Sequence, residues 1–181
     1  MDSGDGDGRS VRGAGFNPVT SSFVIARLTE MINDAYAAGE DGMWVPGTPR
    51  VFEEEVRALV DAGELLVLER DGALAGCVRV HAVDATTAEL GLLSAARRDG
   101  GAGRELVGLA ETWARDRGLA RMRLSLLVPK VGTHPFKARL HAWYSRLGYR
   151  ETGRRDFADV LPESAPLLSA PCDLVFYEKA L

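Results

Sequence analysis

A glycine-rich turn carries the clearest chemical signal in the sequence. It comprises Arg98, Asp99, Gly100, Gly101, Ala102, Gly103 and Arg104. The turn lies between an apolar, strand-like stretch over 88–96 and an amphipathic helix that begins near Gly101. Such a turn exposes consecutive backbone N–H groups, and the positive end of the helix dipole points at the same place. It can therefore hold the phosphates of a cofactor, although a plain turn that starts a helix explains the glycines at least as well.

Two familiar phosphate-binding folds fit the turn poorly. In a dinucleotide-binding unit the glycine turn follows the first strand, and an acidic residue stands about twenty residues further on. Here three predicted strands precede the turn, and the region some twenty residues on reads Arg121-Met122-Arg123. A nucleoside triphosphate-binding loop would continue with Gly-Lys-Ser or Gly-Lys-Thr, and this chain does not.

A second candidate group lies about forty residues downstream, on a predicted helix over 135–147. A tyrosine hydroxyl can donate a proton in catalysis, which makes Tyr144 a candidate. However, an apolar stripe at helical spacing runs beside it, formed by Phe136, Leu140, Trp143 and Leu147. The spacing alone therefore favours a core aromatic. The chain's histidines, His81, His134 and His141, show no metal-ligand spacing, so no metal site is predicted.

The order of predicted elements is typical of an α/β protein with a mixed sheet. The elements are helices over 22–38 and 49–62, strands over 65–70, 73–83 and 88–96, a helix to about 117, a strand over 121–128, a helix over 135–147, and strands over 149–157 and 174–179. Asp71-Gly72 is a strong hairpin turn, so the first two strands are antiparallel. The strand, helix and strand around the glycine turn form a right-handed crossover between parallel strands.

The bulk properties of the chain exclude several classes. Its 181 residues suit one domain, expected over 16–181, after a Gly-, Asp- and Ser-rich flexible tail over 1–15. A net charge of −4 weighs against a nucleic-acid partner. Two cysteines are too few for a disulfide scaffold. Because no apolar run is long enough to span a membrane and no leader opens the chain, we expect a cytoplasmic protein without a membrane partner.

Together, the two motifs resemble the GCN5-related N-acetyltransferase (GNAT) family. That family's cofactor motif is Arg or Gln, two residues, Gly, one residue, then Gly or Ala, which Arg98, Gly101 and Gly103 match. Its second motif, a helix with Tyr, three residues, Gly and an aromatic residue, is similar to Tyr144, Gly148 and Tyr149. Two motifs in this order are far more specific than either alone. The resemblance is clear over about 65–181.

The resemblance implies a fold and an activity. The fold is a mixed central sheet of about six to seven strands with a splayed parallel pair, flanked by helices. The activity is an N-acetyltransferase that moves an acetyl group from acetyl-CoA to a primary amine of a small molecule or peptide, by direct attack in a ternary complex. Acetyl-CoA is then the co-substrate and no metal takes part. Because many relatives form homodimers, a homodimer is the implied candidate assembly.

The resemblance also implies roles for individual residues. Those expected to bind the cofactor are Leu93 and Ala95 through their backbone, the amides of Gly101, Ala102, Gly103 and Arg104, and the charges of Arg98 and Arg104. A backbone N–H near Leu93 would polarise the thioester carbonyl. Tyr144 would donate to the departing thiolate, a role that the family match favours over a core aromatic.

The acceptor side is less sharply defined by the resemblance. Glu89 is the candidate base for the amine, with a solvated strand-end residue as an equal alternative. Tyr36 and Trp44 fall where the acceptor pocket is expected, and ordinary packing explains them equally well.

The chain departs from the family pattern in three places. The segment between Leu93 and Arg98 is about two residues shorter than usual, Asp99 places a carboxylate beside the expected pyrophosphate, and Lys137 stands where many members have Asn. These departures keep open a second class of function, a protein that binds acetyl-CoA or CoA without turnover. A third hypothesis is an acyltransferase that uses a longer acyl group.

Overall fold

The structure is a computed structural model that describes residues 9–12, 21–97 and 100–181. Its elements are β1 (Arg9–Arg12), α1 (Ser22–Gly39), α2 (Glu53–Asp61), β2 (Leu65–Arg70), β3 (Ala73–Ala82), β4 (Thr87–Ala95), α3 (Ala102–Arg115), β5 (Arg121–Pro129), α4 (Pro135–Arg146), β6 (Arg150–Asp156), α5 (Phe157–Val160) and β7 (Cys172–Ala180), with a 3₁₀ turn at Ala165–Leu167.

One mixed sheet joins all seven described strands, in the order β1-β2-β3-β4-β5-β7-β6. Neighbouring strands are antiparallel except for β4 and β5, which run parallel and are connected through α3. This arrangement confirms the predicted α/β class and the predicted strand number. The parallel pair follows from the strand–helix–strand order, because a crossover through a helix returns the chain in the same direction.

The parallel pair separates soon after it begins. β4 and β5 each contain nine residues, but they are in register only from Thr87–Arg121 to Glu89–Arg123. Beyond that point β4 continues to pair with β3, and β5 continues to pair with β7. The main-chain groups that face the widening gap therefore have no partner strand, and a buried backbone group without a partner is costly.

Helices cover both faces of the sheet, so the core has two parts. On one face α3 buries Leu106, Val107 and Ala110 against β3, β4 and β5, together with residues of α4. On the other face α1 and α2 cover the sheet at β2 and β3, where Val67 and Cys77 are buried. Both cysteines are buried and free, as a chain without a disulfide scaffold requires.

Several element boundaries differ from the predicted ones. α2 begins at Glu53 instead of Pro49, because the amide side chain of Asn33 accepts from the N–H groups of Arg50 and Val51 and keeps that segment extended. The Glu55 carboxylate then accepts from the Phe52 N–H, 2.7 Å away, and caps the helix.

Two further differences concern segments predicted without regular structure. The stretch between β6 and β7, predicted mostly as loop, contains α5 and the 3₁₀ turn. Residues 9–12, inside the predicted flexible tail, form β1 against β2. Ladder hydrogen bonds use main-chain groups, so this pairing does not depend on apolar side chains, which are few in residues 1–15. The remainder of 1–15 lies outside the described residues, and the single domain over 16–181 stays a prediction.

Candidate active site

A cavity of about 1080 Å³ follows the gap between β4 and β5 and reaches both faces of the sheet. The part on the helix α3 and α4 side, which we call the α3–α4 arm, is lined by Arg97, Gly101, Gly103, Arg104, Arg139 and Arg146. The part on the opposite face, the α1 arm, is lined by Met31, Asp34, Tyr36, Trp44, Phe157 and Leu161. The two arms meet where the strands separate, so molecules that enter from opposite faces can touch there.

A β-bulge shapes the wall of the cavity on β4. Cys77 pairs with Ser94 and Arg79 with Gly91, so two residues of β4, Leu92 and Leu93, stand opposite a single residue of β3. Leu92 has a φ of 48°, a left-handed conformation that is costly for a leucine. The Ser94 hydroxyl donates to the Leu92 carbonyl, 3.2 Å away. The bulge changes the direction of the main chain at Leu93, which lines the cavity.

The first turn of α3 forms the end wall of the α3–α4 arm. Its N-cap, Gly101, has a φ of 76°, which glycine adopts without strain. The N–H groups that follow the cap have no partner inside the helix, as at every helix start. Among the predicted ligands, Gly101, Gly103 and Arg104 line the cavity, whereas the Ala102 side chain is buried beneath the turn. Arg98 and Asp99 lie outside the described residues.

Sequence reasoning missed the residue that fixes this turn to the sheet. Arg70, at the end of β2, donates to the Gly100 carbonyl at 2.7 Å and to the Glu105 carboxylate at 2.5 Å. Both acceptors are about thirty residues or more away in sequence, so no local pattern signals these contacts. The turn is thereby held at a fixed distance from the strand gap.

Tyr144 lies in the wall between the two arms. It is only 4% exposed and packs between the rings of Trp143 and Tyr149. Burial raises the pKa of its hydroxyl well above the usual value, and the nearby Tyr36 hydroxyl adds to the increase. Among the described residues nothing accepts a hydrogen bond from this hydroxyl. The phenol is therefore protonated at neutral pH and available to a group in the cavity.

A buried ion pair also lines the cavity, at the junction of α1 and α4, and sequence reasoning missed this pairing. Lys137 Nζ lies 2.6 Å from Glu40 Oε1, and both side chains are 6% exposed. The Trp44 indole N–H donates to the other Glu40 oxygen at 2.5 Å. Gly39 makes this junction close, since a Cβ there would lie 2.8 Å from the Phe136 ring. The one sequence signal was that Lys137 occupies a position where the family often has Asn.

Tyr36 and Trp44, predicted on the acceptor side, both line the α1 arm. The Arg50 guanidinium lies over the Tyr36 ring, 4.9 Å from its centre. Burial raises the pKa of the Tyr36 hydroxyl, and the positive charge of Arg50 opposes that increase in part. The Trp44 ring contacts Phe157 edge-on, with the ring centres 5.7 Å apart. The structure therefore brings both residues to the cavity with Leu93, Ala95 and Tyr144.

Glu89 does not line the cavity. It belongs to the last paired position before the strands separate, and its Oε2 atom lies 2.6 Å from Arg123 Nε. The carboxylates that do line the cavity are Glu30, Asp34 and Glu40, all on or next to α1. Arg27, Arg50 and Lys137 line the same arm and balance these carboxylates, whereas the α3–α4 arm carries the positive charges of Arg97, Arg104, Arg139 and Arg146 and, among the described residues, no carboxylate.

The three histidines lie outside the cavity lining. His134 caps α4, His141 shares a hydrogen bond of 2.8 Å with the Tyr177 hydroxyl, and His81 lies at the end of β3. Among the described residues, no group of histidine, cysteine and acidic side chains could hold a metal ion. Within the same residues, no helix combines the length and apolar character needed to cross a bilayer.

Comparison with known proteins connects this geometry to a family. A sequence model of the acetyltransferase (GNAT) family matches residues 26–149. The chain is similar in fold to an acetyltransferase from Streptococcus agalactiae, with 16% identity, coverage of 96% of this chain and 99% of that chain, and a TM-score of 0.66. It is also similar to yncA from Salmonella typhimurium, solved with its cofactor acetyl-CoA, with 18% identity, coverage of 96% and 94%, and a TM-score of 0.64.

A third structure is similar to the same extent. It is the ribosomal-protein-alanine N-acetyltransferase from Brucella melitensis, with 21% identity, coverage of 95% of this chain and 99% of that chain, and a TM-score of 0.63. Among curated protein sequences, none matches the chain significantly. At these identities the solved structures establish the fold, and the sequence model establishes the relationship.

Proposed function

The chain belongs to the acetyltransferase (GNAT) family, and from this premise we propose that it transfers the acetyl group of acetyl-CoA to a primary amine of a small molecule or peptide by direct attack in a ternary complex. The family match confirms the resemblance on which the prediction of an N-acetyltransferase depends. The observation that carries the proposal is the cavity that passes between β4 and β5, since it lets a donor and an acceptor meet from opposite faces.

The α3–α4 arm has the chemistry that acetyl-CoA requires. The N–H groups from Gly101 to Arg104 would hold the diphosphate, and the arginines that line this arm would add positive charge. The main chain of Leu93 and Ala95, without a partner strand on the β5 side, would pair with the amides of the pantetheine arm. When bound, acetyl-CoA supplies a thioester as the electrophile. The predicted contribution of Arg98 stays a prediction.

Tyr144 is the residue that we propose to protonate the departing thiolate. Its hydroxyl is protonated at neutral pH, has no partner among the described residues, and belongs to the wall where the arms meet. A buried donor that is already in place needs little reorganisation when negative charge develops. The main-chain N–H at the bulge would polarise the carbonyl from the other side of the gap.

The amine must arrive without its proton, because an ammonium has no lone pair. Glu89 stays the predicted base, but its place outside the cavity and its contact with Arg123 limit how it could act. One carboxylate oxygen is occupied by Arg123, so the proton would reach the other oxygen through a water molecule. Assembly as a homodimer and a cytoplasmic location likewise stay predictions.

Two measurements test the proposal. Acetyl-CoA should raise the melting temperature, and thiol release should then follow when a panel of amines is added. Tyr144→Phe should lower kcat at least tenfold, because general acid catalysis contributes about 10²–10⁴-fold, while the Kd for acetyl-CoA stays within about twofold. Tyr177→Phe is the control for the loss of a tyrosine hydroxyl outside the cavity, and because it also removes the hydrogen bond to His141, its melting temperature is measured alongside kcat.

The results separate the hypotheses. Stabilisation by acetyl-CoA without thiol release from any amine would indicate a binding protein without turnover. A Tyr144→Phe enzyme with unchanged kcat would remove Tyr144 from the mechanism. Faster thiol release from a longer acyl-CoA than from acetyl-CoA would favour the third hypothesis.

A further inference from the structure

Two loops that are far apart in sequence are joined over the α1 arm. The Val45 N–H donates to the Leu167 carbonyl at 2.8 Å, and the Ser169 N–H donates to the Met43 carbonyl at 2.9 Å. These main-chain bonds connect the loop after α1 with the loop between β6 and β7. The arm therefore has a roof on this side, and an extended polypeptide could not lie across it without breaking the pairing.

Side-chain packing holds the same two loops together beneath the roof. Met43, from the first loop, is buried in one cluster with Phe157, from α5, and Cys172, at the start of β7. Trp44 and Phe157, whose rings touch edge-on, both face the cavity. The inner wall of the α1 arm is accordingly apolar and aromatic, and opening it would expose buried surface as well as break the main-chain bonds.

The mouth of the α1 arm lies at its exposed lining residues, among them Asp34 on α1 and Leu161 after α5. Of the carboxylates along this arm, Glu30 is paired with Arg27 and Glu40 with Lys137. Among the described residues, Asp34 has no ion-pair partner, and the positive charge of Arg50, which lines the same arm, lies over the Tyr36 ring instead. A free carboxylate at the entrance of an apolar pocket attracts a cation whose remaining atoms are apolar.

We propose that the acceptor is a small primary amine on an apolar body, which enters the α1 arm end-on past Asp34, and that an amine within a polypeptide chain is a poor acceptor. The inference rests on the proposed acetyl transfer and narrows its acceptor. The ammonium form is recognised at the mouth, and the apolar body is then bound between Trp44, Phe157 and Leu161. The roof excludes a chain that continues in two directions.

The first experiment compares three acceptors with the full-length enzyme and acetyl-CoA, by thiol release. They are 2-phenylethylamine, ethanolamine, and a tetrapeptide with both ends blocked, acetyl-Ser-Gly-Lys-Ser-amide, in which the lysine side chain carries the primary amine and the chain continues in both directions. An apolar pocket typically distinguishes acceptors that differ in apolar size by about 10–200-fold in kcat/KM. We expect kcat/KM for 2-phenylethylamine to exceed both others at least tenfold. Calorimetry of 2-phenylethylamine against the CoA-bound enzyme gives a second readout that needs no turnover, and we expect saturable binding.

The second experiment uses Asp34→Asn, with Asp61→Asn as its control. Asp61 is an exposed aspartate at the end of α2 that does not line the cavity. An exposed charge pair contributes up to about 1 kcal/mol, so Asp34→Asn should raise the KM for 2-phenylethylamine about threefold. The acetyl-CoA KM should not change, and the effect should shrink in high salt because exposed charges are screened.

Each outcome separates the inference from the proposed function. Thiol release that is fastest with the tetrapeptide, or as fast with ethanolamine as with 2-phenylethylamine, leaves acetyl transfer standing and overturns the inference. Binding of 2-phenylethylamine to the CoA-bound enzyme without thiol release from any amine overturns the proposed function and supports the site. If the KM for 2-phenylethylamine is unchanged in Asp34→Asn, Asp34 does not recognise the ammonium group, and that part of the inference is overturned.

Discussion

The buried pair Glu40–Lys137 gives a quantitative test of the cavity wall. At 2.6 Å and an effective dielectric constant of about 20, the attraction between the two charges is about 6 kcal/mol. Removing each ion from water costs several kcal/mol, so the pair as a whole contributes little to the free energy of unfolding. Removing one partner is different, because the other charge then stays buried without compensation.

The perturbation is a double-mutant cycle with Lys137→Met and Glu40→Gln. We expect Lys137→Met to lower the free energy of unfolding by about 3 kcal/mol, at the low end of the range for broken buried pairs, since the Trp44 indole still donates to Glu40. The double variant should lie within about 1 kcal/mol of the wild type, because neither charge remains. The interaction energy from the cycle should then be at least about 2 kcal/mol.

The assay is urea denaturation followed by tryptophan fluorescence, with all four proteins at one pH and ionic strength. Trp44 reports directly, because its indole contacts the Glu40 carboxylate. If Lys137→Met alone costs less than about 1 kcal/mol, the charges are not desolvated as the structure has them. Additive single effects, without an interaction energy, would show that the two side chains are not in contact.

Three further predictions concern the turn, the strand end and the pH dependence. Gly101→Ala and Gly118→Ala each add a side chain near one end of α3, at nearly equal φ of 76° and 73°, and each should lower the free energy of unfolding by about 1 kcal/mol. Only Gly101→Ala should weaken acetyl-CoA binding in calorimetry. Equal affinities of the two variants for acetyl-CoA would count against the phosphate turn. Glu89→Gln should lower kcat/KM most at neutral pH and less at alkaline pH, where the free amine is abundant. If kcat/KM falls by the same factor at every pH, Glu89 has a structural role. Burial and the neighbouring Arg79 charge lower the pKa of His81 from 6.5, so the folded state favours the neutral ring and the free energy of unfolding should fall as the pH drops below 6.5. In urea denaturation at a series of pH values, His81→Leu should make the free energy of unfolding depend less on pH. An unchanged pH dependence in this variant would assign the effect to other groups.

The sequence predicts the fold well where the signal is local. Alternating and continuous apolar stretches, the Asp71-Gly72 turn and the glycine turn place the strands and helices close to where the structure has them. The splay of the parallel strands was an implication of the family resemblance, and the register confirms it. Element ends are less predictable, as α2 illustrates, because the Asn33 side chain that sets its start lies 17 residues or more away.

The site is predictable only in part, because its long-range contacts leave no local trace. The bulge at Leu92 arises from the register between β4 and β3, and an apolar run such as Leu90 to Leu93 does not reveal which residue is inserted. Glu40 and Lys137 are separated by 97 residues, and Arg70 reaches Glu105 across 35. Each of these contacts depends on the tertiary arrangement, which local periodicity does not encode.

The gap between β4 and β5 also links the lifetime of the protein to its donor. A sheet interrupted near its centre is a point of local opening, and a ligand that pairs with the free edge of β4 would stabilise the sheet there. Ligand at a hundred times its Kd adds about 2.7 kcal/mol to the stability of the folded state. Molecules deprived of the donor should therefore be the first that proteases degrade, so that the amount of enzyme follows the supply of activated acetate.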